Sequence, residues 1–127
     1  MIPPRTPSLL LSFRNAFNGL RYALRTQRNA RIHLTATLLV LVVGLWLGLS
    51  RMEWCLIILS IGMVWMGELS NTVLENVVDL LCPDYNALAK TAKDVKAGVV
   101  VIASTSAVLV GVLILGPKLL LVVQTLF

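Results

Sequence analysis

Four polar side chains recur at helical spacing inside a long apolar stretch of the sequence, and together they form what we call the polar stripe: Glu68, Asn71, Glu75 and Asp79. Steps of three, four and four residues place them on one face of a helix. A carboxylate near the middle of a membrane helix costs roughly 2.5–3.5 kcal/mol on insertion scales. Three carboxylates on one face therefore indicate a functional site. The alternative is a seam that only joins neighbouring helices through hydrogen bonds.

The depth of these groups favours phosphoryl transfer between a soluble nucleotide and a lipid alcohol. Glu75 and Asp79 fall near one end of the predicted helix and are hard oxygen donors of the kind that Mg²⁺ prefers. Lys93 and Lys96, early in the next predicted helix, are suited to neutralising phosphates. Glu68 lies two turns deeper than Glu75 and is a candidate general base for a hydroxyl at headgroup depth.

Transport and proton relay compete with this interpretation, because both also use carboxylates inside membranes. A proton path through Glu68 and His33 is weaker, since the other apolar segments offer few polar groups, and His33 is interpreted as an interfacial residue rather than a ligand. The sequence has neither a phosphate-binding GxxxxGK[ST] loop nor the catalytic motifs of protein kinases. A kinase of this sequence would therefore not be built on those folds.

The composition predicts a small integral membrane protein. Of the 127 residues, 57% are hydrophobic and 13% are charged, and the mean hydropathy is +0.86. A soluble domain of this size cannot bury so much apolar surface, and the length fits one domain, residues 1–127. The net charge of +5 reflects six arginines among the first 31 residues, interleaved with apolar residues. That pattern is typical of a helix at a membrane surface and not of nucleic-acid binding.

Periodicity and turn residues divide the chain into an all-α arrangement of one amphipathic surface helix and three spans. A loose proline-rich lead-in, residues 1–7, comes first. The spans approach the ~30 Å of a hydrocarbon core. Residues 51–53 are predicted to form a tight turn, and Asp84 or Asn86 is predicted to cap the third span, which Pro117 ends. The predicted bounds are 8–30 for the surface helix and 32–50, 54–82 and 87–116 for the helices that contain the spans, and the third span itself is predicted to begin at about residue 97.

The distribution of basic residues predicts the orientation. Nine of the eleven lie in the N-terminal segment or after the second span, and two lie on the other side. The positive-inside rule then puts the N-terminus and the shallow end of the polar stripe in the cytoplasm, where ATP and Mg²⁺ are available. The nine are Arg5, Arg14, Arg21, Arg25, Arg28, Arg31, Lys90, Lys93 and Lys96, and the two are Arg51 and Lys118.

The polar stripe and its surroundings resemble a known family. The run Glu68-Leu-Ser-Asn71-Thr-Val-Leu-Glu75-Asn-Val-Val-Asp79 is similar to the signature of the prokaryotic diacylglycerol kinases. The resemblance continues through Pro83-Asp84-Tyr85-Asn86, the segment 89–94, and Asn29-Ala-Arg31-Ile32-His33, and it covers about residues 12–118. It is closest to the branch that acts on undecaprenol.

This resemblance implies a homotrimer of three-span subunits with shared active sites in the bacterial inner membrane. The implied reaction transfers the γ-phosphate of Mg-ATP to a membrane lipid alcohol, with undecaprenol expected and diacylglycerol as the alternative. By position, Glu68 would be the general base, Asn71 would orient it, and Glu75 would bind the metal. The residues that would contact or support the nucleotide are Asp84, Tyr85, Asn86, Lys93, Asp94 and Asp79.

The sequence departs from the family pattern at one metal position. Gln27 stands where the family usually carries a second metal-binding glutamate. An amide oxygen can bind Mg²⁺ but brings no charge, so the affinity for the metal should fall. Three outcomes are open: a working kinase with weaker Mg²⁺ binding, which we favour, a changed site geometry, or a weakly active membrane protein in which the polar stripe only joins subunits.

Overall fold

The computed structural model describes residues 8–126, which form four consecutive α-helices. The all-α prediction is confirmed, and three of these helices are long and apolar enough to cross a membrane. The proline-rich lead-in with Arg5 lies outside the described residues. The helices are α1 (Leu9–Thr26), α2 (Arg28–Leu47), α3 (Arg51–Leu81) and α4 (Ala87–Leu126).

The chain breaks between α1 and α2 at Gln27, so the predicted helix 8–30 is wrong at its C-terminal end. Gln27 has extended backbone angles, φ −103° and ψ 122°, and its N–H donates to the Ala23 carbonyl at 2.8 Å. Arg31 reaches back across the break, and its Nη1 donates to two carbonyls in the last turn of α1, each at 3.2 Å. These bonds satisfy acceptors that a helix end would otherwise leave free.

The turn between α2 and α3 falls at residues 48–50, and the predicted turn at 51–53 is wrong. Gly48 ends α2 in the left-handed conformation, φ 65°, which glycine adopts without steric cost. Ser50 and Glu53 then form a reciprocal cap: the Ser50 N–H donates to Glu53 Oε2 at 2.7 Å, and the Glu53 N–H donates to Ser50 Oγ at 3.3 Å. Because this cap starts α3 at Arg51, the predicted span 32–50 is also too long at its C-terminal end.

The loop between α3 and α4 agrees with the sequence prediction. α3 ends at Leu81, close to the expected end of the 54–82 span and before Pro83. Asn86 caps α4, because its Oδ1 accepts hydrogen bonds from the backbone N–H groups of Leu88 at 2.9 Å and Ala89 at 3.2 Å.

α4 continues through Pro117, so the predicted end of the third span at 116 is wrong. Proline removes one backbone donor, and helices in membranes tolerate that loss where neighbours support the helix. Directly after Pro117, Lys118 connects α4 to the start of α3, because its Nζ lies 3.3 Å from Glu53 Oε2.

α3 is the central helix: it contacts each of the other three and packs most extensively against α4. Small residues meet where α3 contacts α4, since a Cβ added at Gly67 would lie 3.8 Å from the Ala103 Cβ, an ordinary van der Waals distance. On the other side of α3, Trp65 Nε1 donates to Thr37 Oγ1 of α2 at 3.1 Å. Small residues and hydrogen bonds between helices are the usual contacts of membrane bundles. They hold the polar stripe of α3 next to the first turns of α2 and α4.

Candidate active site

A cavity of about 730 Å³ lies at the end of the bundle where α2 and α4 begin. Its walls come from the first turns of α2, the C-terminal half of α3 and the first half of α4. These segments meet because the start of α2, the end of α3 and the start of α4 lie at the same end of the bundle. Apolar side chains of α4 form part of the wall. The other lining residues include the polar side chains Gln27, Asn29, His33, Asn71, Glu75, Lys93 and Lys96.

Two lysines of α4 pair with carboxylates of the polar stripe. Lys96 Nζ lies 3.3 Å from Glu75 Oε2, and its side chain is only 9% exposed, whereas that of Glu75 is 36% exposed. Lys93 donates a hydrogen bond to the Asp79 carboxylate. This bond raises the pKa of Lys93, which lies in the polar first turns of α4, before the predicted start of its span. Two ammonium groups therefore line the cavity, each paired with a carboxylate of the polar stripe.

Glu68 does not line the cavity. Its side chain is 0% exposed, and neither carboxylate oxygen accepts a hydrogen bond from any residue in 8–126. His33 of α2 lies beside it, with Nε2 3.8 Å from Glu68 Oε2, and His33 does line the cavity. The His33 side chain is 17% exposed and packs inside the bundle. His33 therefore lies between the cavity and Glu68, and its depth at the membrane interface stays a prediction.

The structure gathers four of the predicted site residues around the cavity, namely Gln27, Asn71, Glu75 and Lys93. Asp79 is connected to the cavity through Lys93. The rest lie at the same end of the bundle but do not line the cavity: Asp94 pairs with Lys90 at 3.0 Å, Asn86 caps α4, and the loop residues Asp84 and Tyr85 are exposed.

Four polar lining residues were not assigned to the site from the sequence: Asn29, His33, Ser104 and Thr105. Ser104 Oγ is buried and has no hydrogen-bond partner among residues 8–126. Asn29 and His33 belong to the segment 29–33, which resembles the family, and this resemblance was the sequence signal that could have assigned them to the site. Ser104 gave no such indication, because it lies in the run Ser104-Thr105-Ser106 of an apolar helix, and small hydroxyl residues are usual contacts between membrane helices.

A second cavity, of about 530 Å³, lies farther along the bundle between α2, α3 and α4. Its lining is mostly apolar, with Val40, Ile57 and Val64 among its members. His33 and Ser104 line both cavities. The polar cavity therefore meets the apolar one at these two side chains.

The oxygen donors of the polar cavity fit a divalent cation that arrives with a nucleotide. Glu75 is accompanied by the amide side chains of Gln27, Asn29 and Asn71. Among residues 8–126, no three His, Cys, Asp or Glu side chains are grouped closely enough to hold a metal by themselves. Mg²⁺ usually takes one or two protein carboxylates and completes its shell with water and substrate phosphates. One carboxylate and several amides match that mode of binding.

Fold and cavity define a class: a helical membrane protein with a charged site at one end of the bundle, suited to holding phosphates beside a buried carboxylate. Within that class, the chain belongs to the prokaryotic diacylglycerol kinase family, which it matches over residues 14–115. The resemblance drawn from the polar stripe is confirmed, and it places the chain in a family of lipid kinases.

Three relatives show how far the similarity extends. The chain is 44% identical over 115 residues to a diacylglycerol kinase of Synechocystis sp., covering 90% of this chain and 66% of the relative. It is 41% identical over 108 residues to an undecaprenol kinase of Bacillus subtilis, covering 85% of this chain and 88% of the relative. It is 33% identical over 94 residues to a diacylglycerol kinase of Escherichia coli, covering 74% and 77%. The chain thus spans slightly less than two thirds of the Synechocystis relative.

Proposed function

We propose that this protein is a membrane lipid kinase that transfers the γ-phosphate of Mg-ATP to a lipid alcohol at the cytoplasmic face of the bacterial inner membrane. The observation that carries the proposal is the junction of a charged cavity with an apolar one beside the buried Glu68. Such a junction suits a reaction between a water-soluble phosphate donor and an alcohol with a long apolar chain.

The polar cavity is the phosphate side of the proposed reaction. Lys93 and Lys96 supply positive charge for the ATP phosphates. Glu75 and Gln27 would hold Mg²⁺, which supplies charge neutralisation on the phosphates when it is bound. Asp79 holds the Lys93 ammonium in place through their hydrogen bond. The remaining nucleotide contacts are assigned to Asp84, Tyr85, Asn86 and Asp94 at the same end of the bundle.

Glu68 is the proposed general base. The hydroxyl oxygen of the lipid forms a bond to the γ-phosphorus as the bond to the β,γ-bridging oxygen breaks, and ADP leaves with that electron pair. The hydroxyl proton ends on the Glu68 carboxylate. Asn71, which lies three residues after Glu68 on the same face of α3 and lines the polar cavity, is the proposed orienting partner.

Undecaprenol is the proposed acceptor, on the resemblance of the Asn29–His33 and 83–94 segments to the undecaprenol branch. Diacylglycerol remains the second candidate, because relatives named for each activity have similar identities, 44% and 41%. Despite Gln27, we favour a working kinase with weaker Mg²⁺ binding over a weakly active homologue, since Glu75 and Lys93 line the same cavity as Gln27.

The proposed arrangement in the membrane is a homotrimer of one-domain subunits with a cytoplasmic N-terminus. α1 lies at the membrane surface in this proposal, because its apolar side chains Leu10, Phe13 and Phe17 are exposed while its arginines can reach lipid phosphates. Many large apolar side chains of α2, α3 and α4 are also exposed, which suits contact with lipid and with neighbouring subunits.

A phosphorylation assay on the purified protein in lipid vesicles tests the proposed function. Labelled ATP is offered with undecaprenol or diacylglycerol, with and without Mg²⁺, and we expect Mg²⁺-dependent labelling that is faster with undecaprenol. Glu68→Gln should lower kcat by about 10²–10⁴, the usual contribution of a general base. Faster labelling of diacylglycerol would identify the other acceptor, and no labelling of either alcohol would refute the kinase.

Glu53→Gln is the matched control for Glu68→Gln. Glu53 lies at the opposite end of α3, and glutamine can replace glutamate in its reciprocal cap with Ser50. Its kcat should stay within about twofold of the original protein, because surface changes of this kind are small. Equal rates for Glu68→Gln and Glu53→Gln would remove Glu68 from the reaction.

A further inference from the structure

We infer that His33 relays the hydroxyl proton to Glu68, so that the imidazole and not the carboxylate touches the lipid hydroxyl. This inference rests on the proposed kinase function and adds a catalytic residue to it. The two residues differ in their access to a substrate: Glu68 is 0% exposed and lines neither cavity, whereas His33 lines both. An alcohol that enters either cavity therefore meets His33 before it meets Glu68.

The geometry of the pair suits a relay. His33 Nε2 lies 3.8 Å from Glu68 Oε2, and an approach of roughly 1 Å would bring the two atoms within hydrogen-bond distance. With Nε2 directed to Glu68, Nδ1 is the ring nitrogen left for the substrate. An imidazole between a reacting hydroxyl and a buried carboxylate is the arrangement by which many enzymes activate a hydroxyl.

Burial of Glu68 without a hydrogen bond is the second observation. Both of its carboxylate oxygens lack a partner among residues 8–126, although unpaired polar atoms in a protein interior are costly. The His33 imidazole faces one of them, with Nε2 at 3.8 Å from Oε2. The arrangement is therefore poised to accept a proton from that side.

The junction of the two cavities is the third observation. Ser104 lines both cavities, as His33 does. Its buried Oγ has no hydrogen-bond partner among residues 8–126. A lipid alcohol with its chain in the apolar cavity presents its hydroxyl at this junction. Ser104 Oγ and His33 Nδ1 are the polar groups available there to hold the hydroxyl, and the phosphates lie on the side of Glu75, Lys93 and Lys96.

The relay balances as two proton transfers around one phosphoryl transfer. The hydroxyl proton moves to Nδ1 of the neutral His33 while its Nε2 proton moves to the Glu68 carboxylate. The lipid oxygen bonds to the γ-phosphorus, and the ADP oxygen keeps the electrons of the bond that breaks. His33 ends neutral with its proton on Nδ1, and Glu68 ends protonated. After product release the Glu68 proton returns to Nε2 as the Nδ1 proton leaves into the polar cavity, which restores both groups because the buried Glu68 exchanges protons only through His33.

Single and double substitutions of the pair test the relay in the full-length protein in vesicles. We expect His33→Ala and His33→Gln each to lower kcat by roughly 10²-fold, with the KM for ATP within about twofold, because the relay acts on the proton and not on nucleotide binding. The variant with both His33→Ala and Glu68→Gln should be no slower than the slower single variant, since groups that act as a unit are not additive. Added imidazole should restore part of the rate of His33→Ala but none of the rate of Glu68→Gln.

Three results would overturn the relay. They are an undiminished kcat for His33→Ala, losses that multiply in the double variant, and a His33→Ala rate that imidazole does not raise while ATP still binds. If His33 had only a structural role, added imidazole would not raise the rate of His33→Ala. Failure of the kinase proposal looks different, because the unsubstituted protein would then label neither alcohol.

Discussion

Lys96 is the residue whose structural role differs most from its sequence interpretation. Its position in the next helix predicts a contact with phosphates, yet its ammonium is mostly buried and pairs with Glu75 at 3.3 Å. The carboxylate proposed to bind Mg²⁺ is thus paired with an ammonium group of the same protein. Binding of a metal at Glu75 must compete with this ion pair, and the freed ammonium is then available to the phosphates.

This competition predicts opposite effects of Lys96→Met on two ligands. Mn²⁺ alone, measured by electron paramagnetic resonance as a probe of the Mg²⁺ site, should bind roughly twofold to fivefold more tightly, because a partly exposed ion pair contributes about 0.2–1 kcal/mol. ATP without a divalent cation should bind more weakly by a similar factor, measured by equilibrium dialysis. Both effects follow from the loss of one positive charge beside Glu75.

Lys118→Met is the matched control, since Lys118 pairs with Glu53 at the same distance, 3.3 Å, at the other end of the bundle. It should change neither affinity. Weaker Mn²⁺ binding by Lys96→Met, or equal effects of the two substitutions, would contradict the competition at Glu75.

Sequence and structure agree on the polar stripe for a simple reason. Carboxylates inside an apolar helix are visible in sequence without knowledge of the fold, and their spacing fixes the face that they share. The pairing of His33 with Glu68 was not predictable in this way, because the two residues lie on different helices. Their contact depends on how α2 packs against α3.

At the scale of the elements, hydropathy predicted the three long helices but not their ends. The ends depend on contacts from distant residues: Arg31 caps the last turn of α1, and Lys118 holds the continuation of α4 against Glu53. Local rules favoured a stop at Pro117 and a continuous helix through Gln27. The structure differs at both places: across the break at Gln27, Arg31 bonds to the last carbonyls of α1, and beyond Pro117 the Lys118–Glu53 pair connects α4 to α3.

Close packing at the turn between α2 and α3 predicts that Gly44→Ala is destabilising. A Cβ at Gly44 would lie 2.9 Å from Trp54 Cη2 and 3.0 Å from Leu49 Cδ1, closer than real contacts allow. We expect a loss of about 1–3 kcal/mol, as for other overpacked sites. The measurement is the free energy of unfolding in detergent micelles.

Gly62→Ala is the control for this prediction. Gly62 lies inside α3, and a Cβ there would meet nothing within 4 Å among residues 8–126. The alanine should stabilise the helix by roughly 0.5–1 kcal/mol, because it has the higher helix propensity. If both variants have the same stability, Trp54 and Leu49 yield to the new methyl group and the turn is looser than its contacts indicate.

At the scale of the whole molecule, the helices bring most of the charge to one end. The starts of α2 and α4 and the end of α3 share the end that holds the polar cavity. The opposite end carries Arg51 and the Glu53–Lys118 pair. The positive-inside rule then predicts that the cavity faces the cytoplasm. The same orientation is required by the proposed function, because ATP is a cytoplasmic substrate.

Cysteine labelling tests this orientation. In a background with Cys55→Ala and Cys82→Ala, the variants Arg51→Cys and Lys90→Cys place one thiol at each end of the bundle, and both positions are exposed. A maleimide that does not cross membranes should label Arg51→Cys in intact spheroplasts and Lys90→Cys only after the membrane is opened. The opposite pattern would put Glu75 and Lys93 on the side without ATP, and the kinase proposal could not hold with that geometry. Labelling of both thiols in intact spheroplasts would mean that the chain inserts in both directions, so that only the subunits with an inward-facing cavity could use ATP.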